Sequence, residues 1–272
     1  MQVIFSQIDI QGAQLETQTI QAHAGNAGPT LVFLHEGLGS VALWRDWPAQ
    51  LCRQLGLAGL VYSRQGYGQS AATADVRGPS RTENGRRIGR LLPDYMHHEA
   101  LDVLPLLLQT MGISRPILIG HSDGGTIALI HACHHSVAGC IVMAPHVMVE
   151  DISVRAITAA RLAYEHGPLR TRLAAFHADV DCAFWQWNDV WLSDAFRAFD
   201  IRDELTRVQA PLLAIQGEDD PYGTMAQIDD IARAVPHAQL LKLSACGHAP
   251  HKDQPQAIAH AIESFLKHPN KN

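Results

Sequence analysis

The chain reads as an α/β protein: a mostly parallel sheet flanked by helices, interrupted by a helical insertion. Three observations predict this class. Short unbroken apolar runs recur along the sequence, as strands buried on both faces of a parallel sheet require. Amphipathic stretches of helical length separate them, and strand–helix alternation builds right-handed crossovers. Finally, "IGHSDGGTIAL" (119–129) sets a serine among glycines where one apolar run ends and a helical pattern starts.

Taken in order, the opening "VIFSQIDIQGAQLETQTI" alternates apolar and polar residues and reads as a hairpin turning near Gly12. The apolar runs follow: "TLVFLHEG" (30–37), "LAGLVYSRQGYGQS" (57–70), "RPILIGHS" (115–122), "AGCIVMAPH" (138–146), "PLLAIQGEDD" (211–220) and "AQLLKLSACGH" (238–248). Helical patterns lie between them, in "WRDWPAQLCRQLG", "YMHHEALDVLPLLLQTMG", "GGTIALIHACHH", "MAQIDDIARAV" and "QPQAIAHAIESFLKH". The stretch "AATADVRGPSRTENGRR" (71–87) is polar and turn-rich, and is expected to be a long loop. Residues 147–208 break the rhythm. They contain helical stretches but no clear strand, and they concentrate Phe184, Trp185, Trp187, Trp191, Phe196 and Phe199. The expected organisation is a core of 1–146 and 209–272 with 147–208 inserted as a helical cap.

With 272 residues, 47% of them hydrophobic, the chain can bury one large core. The formal net charge is −6 with no basic block, which argues against a nucleic-acid partner. Five cysteines are scattered without a CxxC pair, as expected of reduced cysteines in a cytoplasmic protein. The N-terminus lacks the basic and apolar regions of a signal peptide. No apolar run approaches the roughly 18 residues that span a bilayer, so no membrane partner is expected.

The serine pattern has a plain reading, a helix N-cap on a glycine-rich turn. It also has a chemical one. Gly-X-Ser-X-Gly between a strand and a helix is the setting of a nucleophile elbow. The sharp turn pushes Ser122 out at the carboxyl end of the strand, where the helix N-terminus favours negative charge. A serine hydroxyl needs a base, and on such a fold the acid and then the histidine follow the serine along the chain. "GEDD" ends a late strand and offers Asp220, with Asp219 as its rival. "CGHAPHKDQP" offers His248, with His251 as its rival. An oxyanion hole would take the amide of Asp123, next after the serine, and one from "LHEGLGS". There Gly37 is preferred and Leu38 is the alternative.

With "LVFLHEGLGS", "YSRQGYGQS", "LIGHSDGG", "GEDD" and "CGHAPHKDQP" in register, the chain resembles the α/β-hydrolase superfamily over nearly its whole length. The resemblance implies Ser122 as nucleophile, Asp220 as acid and His248 as base, with the cap inserted after the sixth strand of the sheet. Two positions depart from the family pattern. Glu36 stands where many relatives have glycine after the histidine, and it either faces the pocket or solvates its rim. Ser63 stands where many have aspartate, a position with a structural role. The "GHSDGG" elbow also resembles the valacyclovirase-like branch, which implies that the Asp123 carboxylate anchors a substrate ammonium group. The alternative is that Asp123 contributes only its amide, with its carboxylate held locally.

The expected activity is therefore a serine hydrolase acting on a small to medium ester or lactone through an acyl-enzyme, with no cofactor or metal. Glu36, Leu38, Trp185, Trp187 and Trp191 are candidate substrate contacts, since pockets favour apolar and aromatic walls. The cluster His131, Cys133, His134 and His135 lacks the partners of a metal site and reads as packing or surface. Two rival readings keep the same fold: a carbon–carbon bond hydrolase of ring-fission products, and a low-turnover ligand receptor.

Overall fold

The computed structural model describes residues 2–22, 28–83 and 86–269. Two strands form the expected hairpin, β1 (Val3–Ile10) and β2 (Ala13–Ile20), turning at Gly12 in the left-handed region (φ 78°). Then come β3 (Thr30–Leu34), α1 (Trp47–Leu55) and β4 (Ala58–Tyr62). The 71–87 stretch is not all loop. It carries a two-stranded antiparallel hairpin, β5 (Arg81–Glu83) and β6 (Arg86–Ile88). Its strands are short and charged, β5 exposed and β6 half-buried, so no apolar alternation announces them. Asn84 and Gly85 of that stretch lie outside the described residues.

The "YMHHEALDVLPLLLQTMG" helix is α2 (Tyr95–His98) running through a π-helical segment (Glu99–Val103) into α3 (Leu104–Thr110). Next are β7 (Pro116–His121), α4 (Asp123–His134) and β8 (Gly139–Met143). Helices α5 (Asp151–His166), α6 (Leu169–Leu173) and α7 (Val180–Trp191) occupy the aromatic-rich segment. The chain closes with β9 (Leu212–Gly217), α8 (Ala226–Ala234), β10 (Gln239–Leu243), α9 (Pro250–Asp253) and α10 (Pro255–Lys267).

Eight strands form one sheet in the order β1-β2-β4-β3-β7-β8-β9-β10. Among the described residues of this sheet, only the β1–β2 and β2–β4 pairings are antiparallel. Side chains alternate between two cores. Val32, Leu34, Leu118 and Val142 join one face with α4. Leu31, Phe33, Ile117, Ile119 and Ile141 join the other with α1 and α10. This double burial explains the unbroken apolar runs. From β3 the chain moves to one side, to β4; from β7 it moves to the other, to β8. The carboxyl ends of β3 and β7 therefore flank the switch point where such sheets bind ligands. No helix among the described residues is long and apolar enough to cross a membrane.

Candidate active site

Ser122 sits on the turn between β7 and α4 with φ 53° and ψ −120°. A non-glycine residue held there stores on the order of 1–3 kcal/mol of strain, which the neighbouring glycines make sustainable. A Cβ on Gly124 would overlap the Leu34 carbonyl, and one on Gly120 would overlap the Gly124 carbonyl. Glycine alone lets β3, β7 and α4 approach this closely.

The turn after β9 delivers Asp220, which is buried. It accepts hydrogen bonds from the Tyr222 amide (2.7 Å) and from Gln216 Nε2 (2.8 Å). The loop after β10 delivers His248, whose Nδ1 lies 2.8 and 2.9 Å from the two Asp220 oxygens. Its Nε2 lies 3.0 Å from Ser122 Oγ. Burial alone would push the Asp220 pKa up, but the His248 hydrogen bond and charge hold it below the usual carboxylate range. The two rivals lie elsewhere. Asp219 is exposed. His251 is buried against Trp44 and Trp47, with ring centroids 4.7 and 5.3 Å away.

A pocket of about 460 Å³, mouth included, opens onto Ser122 and His248. Glu36, Gly37 and Leu38 form one wall; Asp123, Trp187 and Trp191 are also in its lining. The Gly37 and Leu38 amides have no protein partner among the described residues, and the Asp123 amide is one of the orphan donors at the start of α4. Gly37 packs so closely on Trp187 that a Cβ would overlap the indole.

The Asp123 carboxylate is already engaged. Tyr95 Oη donates to it at 2.6 Å, Trp191 Nε1 donates at 3.3 Å, and Arg64 Nη2 lies 3.8 Å away. Burial still pushes its pKa up against the pull of Arg64 and these donors. The buried Arg64 also donates to the carbonyls of His35 (2.7 Å) and Glu36 (3.1 Å), tying the 35–36 loop to Asp123. The Glu36 side chain faces His121 Nδ1 at 3.5 Å and Lys252 Nζ at 3.8 Å. Burial opposes its charge, yet His121 and Lys252 hold its pKa well below the usual range.

Trp185 does not reach this pocket. Its ring lies under Arg77, whose Cζ is 3.9 Å from the centroid, and edge-on to Tyr164. The reason is helical phase. Trp187 and Trp191 are four residues apart and share a face of α7, whereas Trp185 projects away from it. Three residues absent from the sequence reading also shape the site: Tyr222, whose ring centroid is 4.6 Å from that of His248; Ile157; and His121. His146, at the end of the 138–146 run and a pocket candidate from its position there, is in the lining as well. Tyr222 is two residues from the acid, so "DDPYG" held a usable signal. Ser63 proves structural: its Oγ accepts from the Val41 amide and donates to Glu16. Among the described residues no group of three or more His, Cys, Asp or Glu is placed to hold a metal ion. His131 is buried on the Ala100 carbonyl, and His134 contacts Glu204.

Comparison with known proteins agrees with this architecture. The profile of the family described as "Alpha/beta hydrolase family" matches residues 31–261. The "Putative carbamate hydrolase RutD" of Pseudomonas savastanoi pv. phaseolicola is 26% identical over 89% of this chain and 95% of its own length. The "2-succinyl-6-hydroxy-2,4-cyclohexadiene-1-carboxylate synthase" of Enterobacter sp. is 27% identical over 91% of this chain and 95% of its own. Among solved structures, the enol-lactonase from Burkholderia xenovorans LB400 superposes with a TM-score of 0.72 at 19% identity. That likeness covers 96% of this chain and all of the other, and it supports the fold.

Proposed function

This chain belongs to the alpha/beta hydrolase family, and from that premise we propose that it is a serine hydrolase cleaving a small to medium carboxylic ester or lactone. One observation carries the reading: the unbroken chain of contacts from Ser122 Oγ through His248 to Asp220.

In this reading His248 Nε2 takes the Ser122 proton as Oγ attacks the acyl carbon. Asp220 fixes the Nδ1–H tautomer and stabilises the imidazolium that forms. The carbonyl oxygen becomes an oxyanion, held by the Asp123 amide and by Gly37, with the Leu38 amide beside it. The imidazolium then passes its proton to the departing alkoxide, leaving an acyl-serine. Water, deprotonated by His248, attacks the acyl carbon. Collapse of the second tetrahedral species releases the acid and returns the proton to Ser122. No step calls for a metal or an organic cofactor.

We read residues 147–208 as a cap over a core of 1–146 and 209–272, because Trp187 and Trp191 of α7 meet Gly37 and Asp123 from that segment. Leu38, Ile157, Trp187 and Trp191 suit an apolar acyl or alcohol group. Among the described residues no lysine or arginine lines the pocket, and Glu36 brings a carboxylate to its rim, so an uncharged substrate fits best. The Asp123 carboxylate, spent on Tyr95, Trp191 and Arg64, is assigned no role as an ammonium anchor. The five unpaired cysteines suit a cytoplasmic enzyme.

The test is initial rates of the purified protein and of Ser122→Ala on aryl esters with short, aromatic, α-aminoacyl and succinyl groups. Turnover of the uncharged members by the native protein and none by Ser122→Ala is the expected result. Equal rates for the two proteins, or no turnover of any member, would sink the reading.

A further inference from the structure

Trp187 and Trp191 share a face of α7 and both line the Ser122 pocket, but their indole N–H groups differ. Trp191 Nε1 donates within the protein, to Tyr95 Oη at 3.0 Å and to Asp123 Oδ1 at 3.3 Å. Trp187 is 6% exposed. Its Nε1–H has no acceptor among the described residues, and it is not sealed away as the unpartnered Nε1 of Trp44 is. An unmet donor on a residue this buried is costly, so native proteins satisfy it with protein, water or ligand.

Gly37 shows where that nitrogen stands. Its φ lies outside the left-handed region, so its backbone does not call for glycine. Space does. A Cβ there would overlap Nε1, Cδ1 and Cε2 of Trp187 together, with Nε1 the nearest. Gly37 therefore packs on the face of the pyrrole ring at its nitrogen. The N–H lies in the ring plane, so it runs past Gly37 without ending on it. Glycine at this position brings the nitrogen end of the indole against the loop whose Gly37 and Leu38 amides also lack partners among the described residues. Donors from the 36–38 loop and from the 147–208 segment thus border one pocket beside Ser122.

On the Ser122 reading, which this role presupposes, we propose that Trp187 Nε1–H donates to the substrate carbonyl oxygen as that oxygen becomes an oxyanion. When Ser122 Oγ adds to the acyl carbon, its proton passes to His248 and the carbonyl π pair moves onto the oxygen. A hydrogen bond to a charged acceptor is roughly twice as strong as one between neutral groups. The indole therefore stabilises the tetrahedral species more than the bound ester, and it raises kcat without lowering KM. The 147–208 segment then completes the oxyanion hole as well as covering it.

The experiment compares the native protein, Trp187→Phe and Ile157→Ala, with melting curves to show that each is folded. Each is assayed on phenyl butyrate. Each is also titrated with benzyl trifluoromethyl ketone, which Ser122 would convert to a tetrahedral oxyanion, and with the alcohol obtained by reducing that ketone, which forms no adduct. Trp187→Phe keeps a ring and loses the N–H. Its kcat and its affinity for the ketone should both fall about tenfold, the loss of one hydrogen bond to a charged acceptor. Its KM and its affinity for the alcohol should stay within about twofold. Ile157→Ala removes apolar wall, so it should raise KM and weaken ketone and alcohol alike. A second readout needs no variant: in the native protein the ketone should move one of the five indole N–H proton resonances downfield, and the alcohol should not. Native kcat and ketone affinity in Trp187→Phe would overturn the proposal. So would parallel losses for ketone and alcohol in that variant, or indole resonances that the ketone leaves in place. Absence of both turnover and adduct in the native protein would instead remove the Ser122 reading itself, so the two failures are told apart.

Discussion

The ring of His121 reaches the backbone of His248: its Nε2 donates to the His248 carbonyl oxygen at 2.6 Å. His121 is the residue before Ser122, and its Nδ1 faces Glu36 Oε2 at 3.5 Å. One buried ring thus touches the nucleophile strand, the base loop and the 36–38 loop. His121→Phe removes both polar contacts while keeping a ring in the core. Misplacing a reacting group by about 1 Å can cost on the order of 10²-fold, so kcat should fall about 10- to 100-fold with KM little changed. His121→Gln, which keeps a donor, should recover part of the loss. Full activity in His121→Phe would show that the contact positions nothing.

Asp220→Asn is the sharper probe of the acid. The amide cannot hold the His248 Nδ1–H tautomer, so the ring loses the orientation that presents Nε2 to Ser122. A fall in kcat of about 10³- to 10⁴-fold is expected from the loss of such a carboxylate. Asp219→Asn, altering an exposed side chain, should stay within about twofold, since the reacting groups keep their geometry. Comparable losses in both variants would mean that the acid has been misassigned.

The parts of this molecule that were legible in sequence are those governed by short-range rules. Pro116–His121 is buried at every position, and such a run has one reading beside a helix that opens Asp-Gly-Gly. The elbow, the chain order and the strand ends then bring Ser122, His248 and Asp220 within reach of one another. What was not legible depends on contacts between distant residues. Arg64, Tyr95 and Asp123 meet across 28 and 59 positions, and nothing in "SRQGYG" or "PDYM" announces it. Between those limits lies Trp185: the helical phase that separates it from Trp187 and Trp191 was present in the sequence and went unused. The hairpin Arg81–Ile88 was hidden because its register is carried by backbone pairing and not by an apolar face.

Acid should destabilise the protein at pH values above the range in which ordinary carboxylates titrate; Asp123 and Glu99, whose pKa values burial raises, act in the opposite sense. His35, His131, His146 and His251 are buried, and burial lowers the pKa of each, to about 4 for His131 and about 3 for His146. In the unfolded chain each would titrate near 6.5. As pH falls below about 6.5 the unfolded state takes up protons that the folded state refuses, so stability drops. The limiting slope is about 1.4 kcal/mol per pH unit for each histidine, down to its folded pKa. Above about pH 7 these groups contribute no slope. Asp220 and Glu36, whose pKa values are lowered, add to the loss below about pH 4 as their favourable charge is neutralised. Urea midpoints measured from pH 7.5 to 4.5 should decline steadily through this window, and a flat profile would contradict the burial of neutral histidines.

Gly37 offers a test of the contact between the 147–208 segment and the 36–38 loop. Its φ lies outside the left-handed region, so alanine is conformationally acceptable there. The obstacle is space, because the new Cβ would overlap Nε1 and Cδ1 of Trp187. Either the indole swings away or the loop recedes, and the proposed oxyanion amide moves in the second case. Loss of one such donor costs about 10²- to 10³-fold in kcat, so Gly37→Ala should fall toward that range while its melting temperature changes little. Trp187→Ala removes the obstacle. If the clash is the cause, Gly37→Ala combined with Trp187→Ala should be more active than Gly37→Ala alone, a coupling that contacting residues show and distant ones do not. Strict additivity of the two losses would mean that the glycine is required for the loop itself and that the indole merely rests on it.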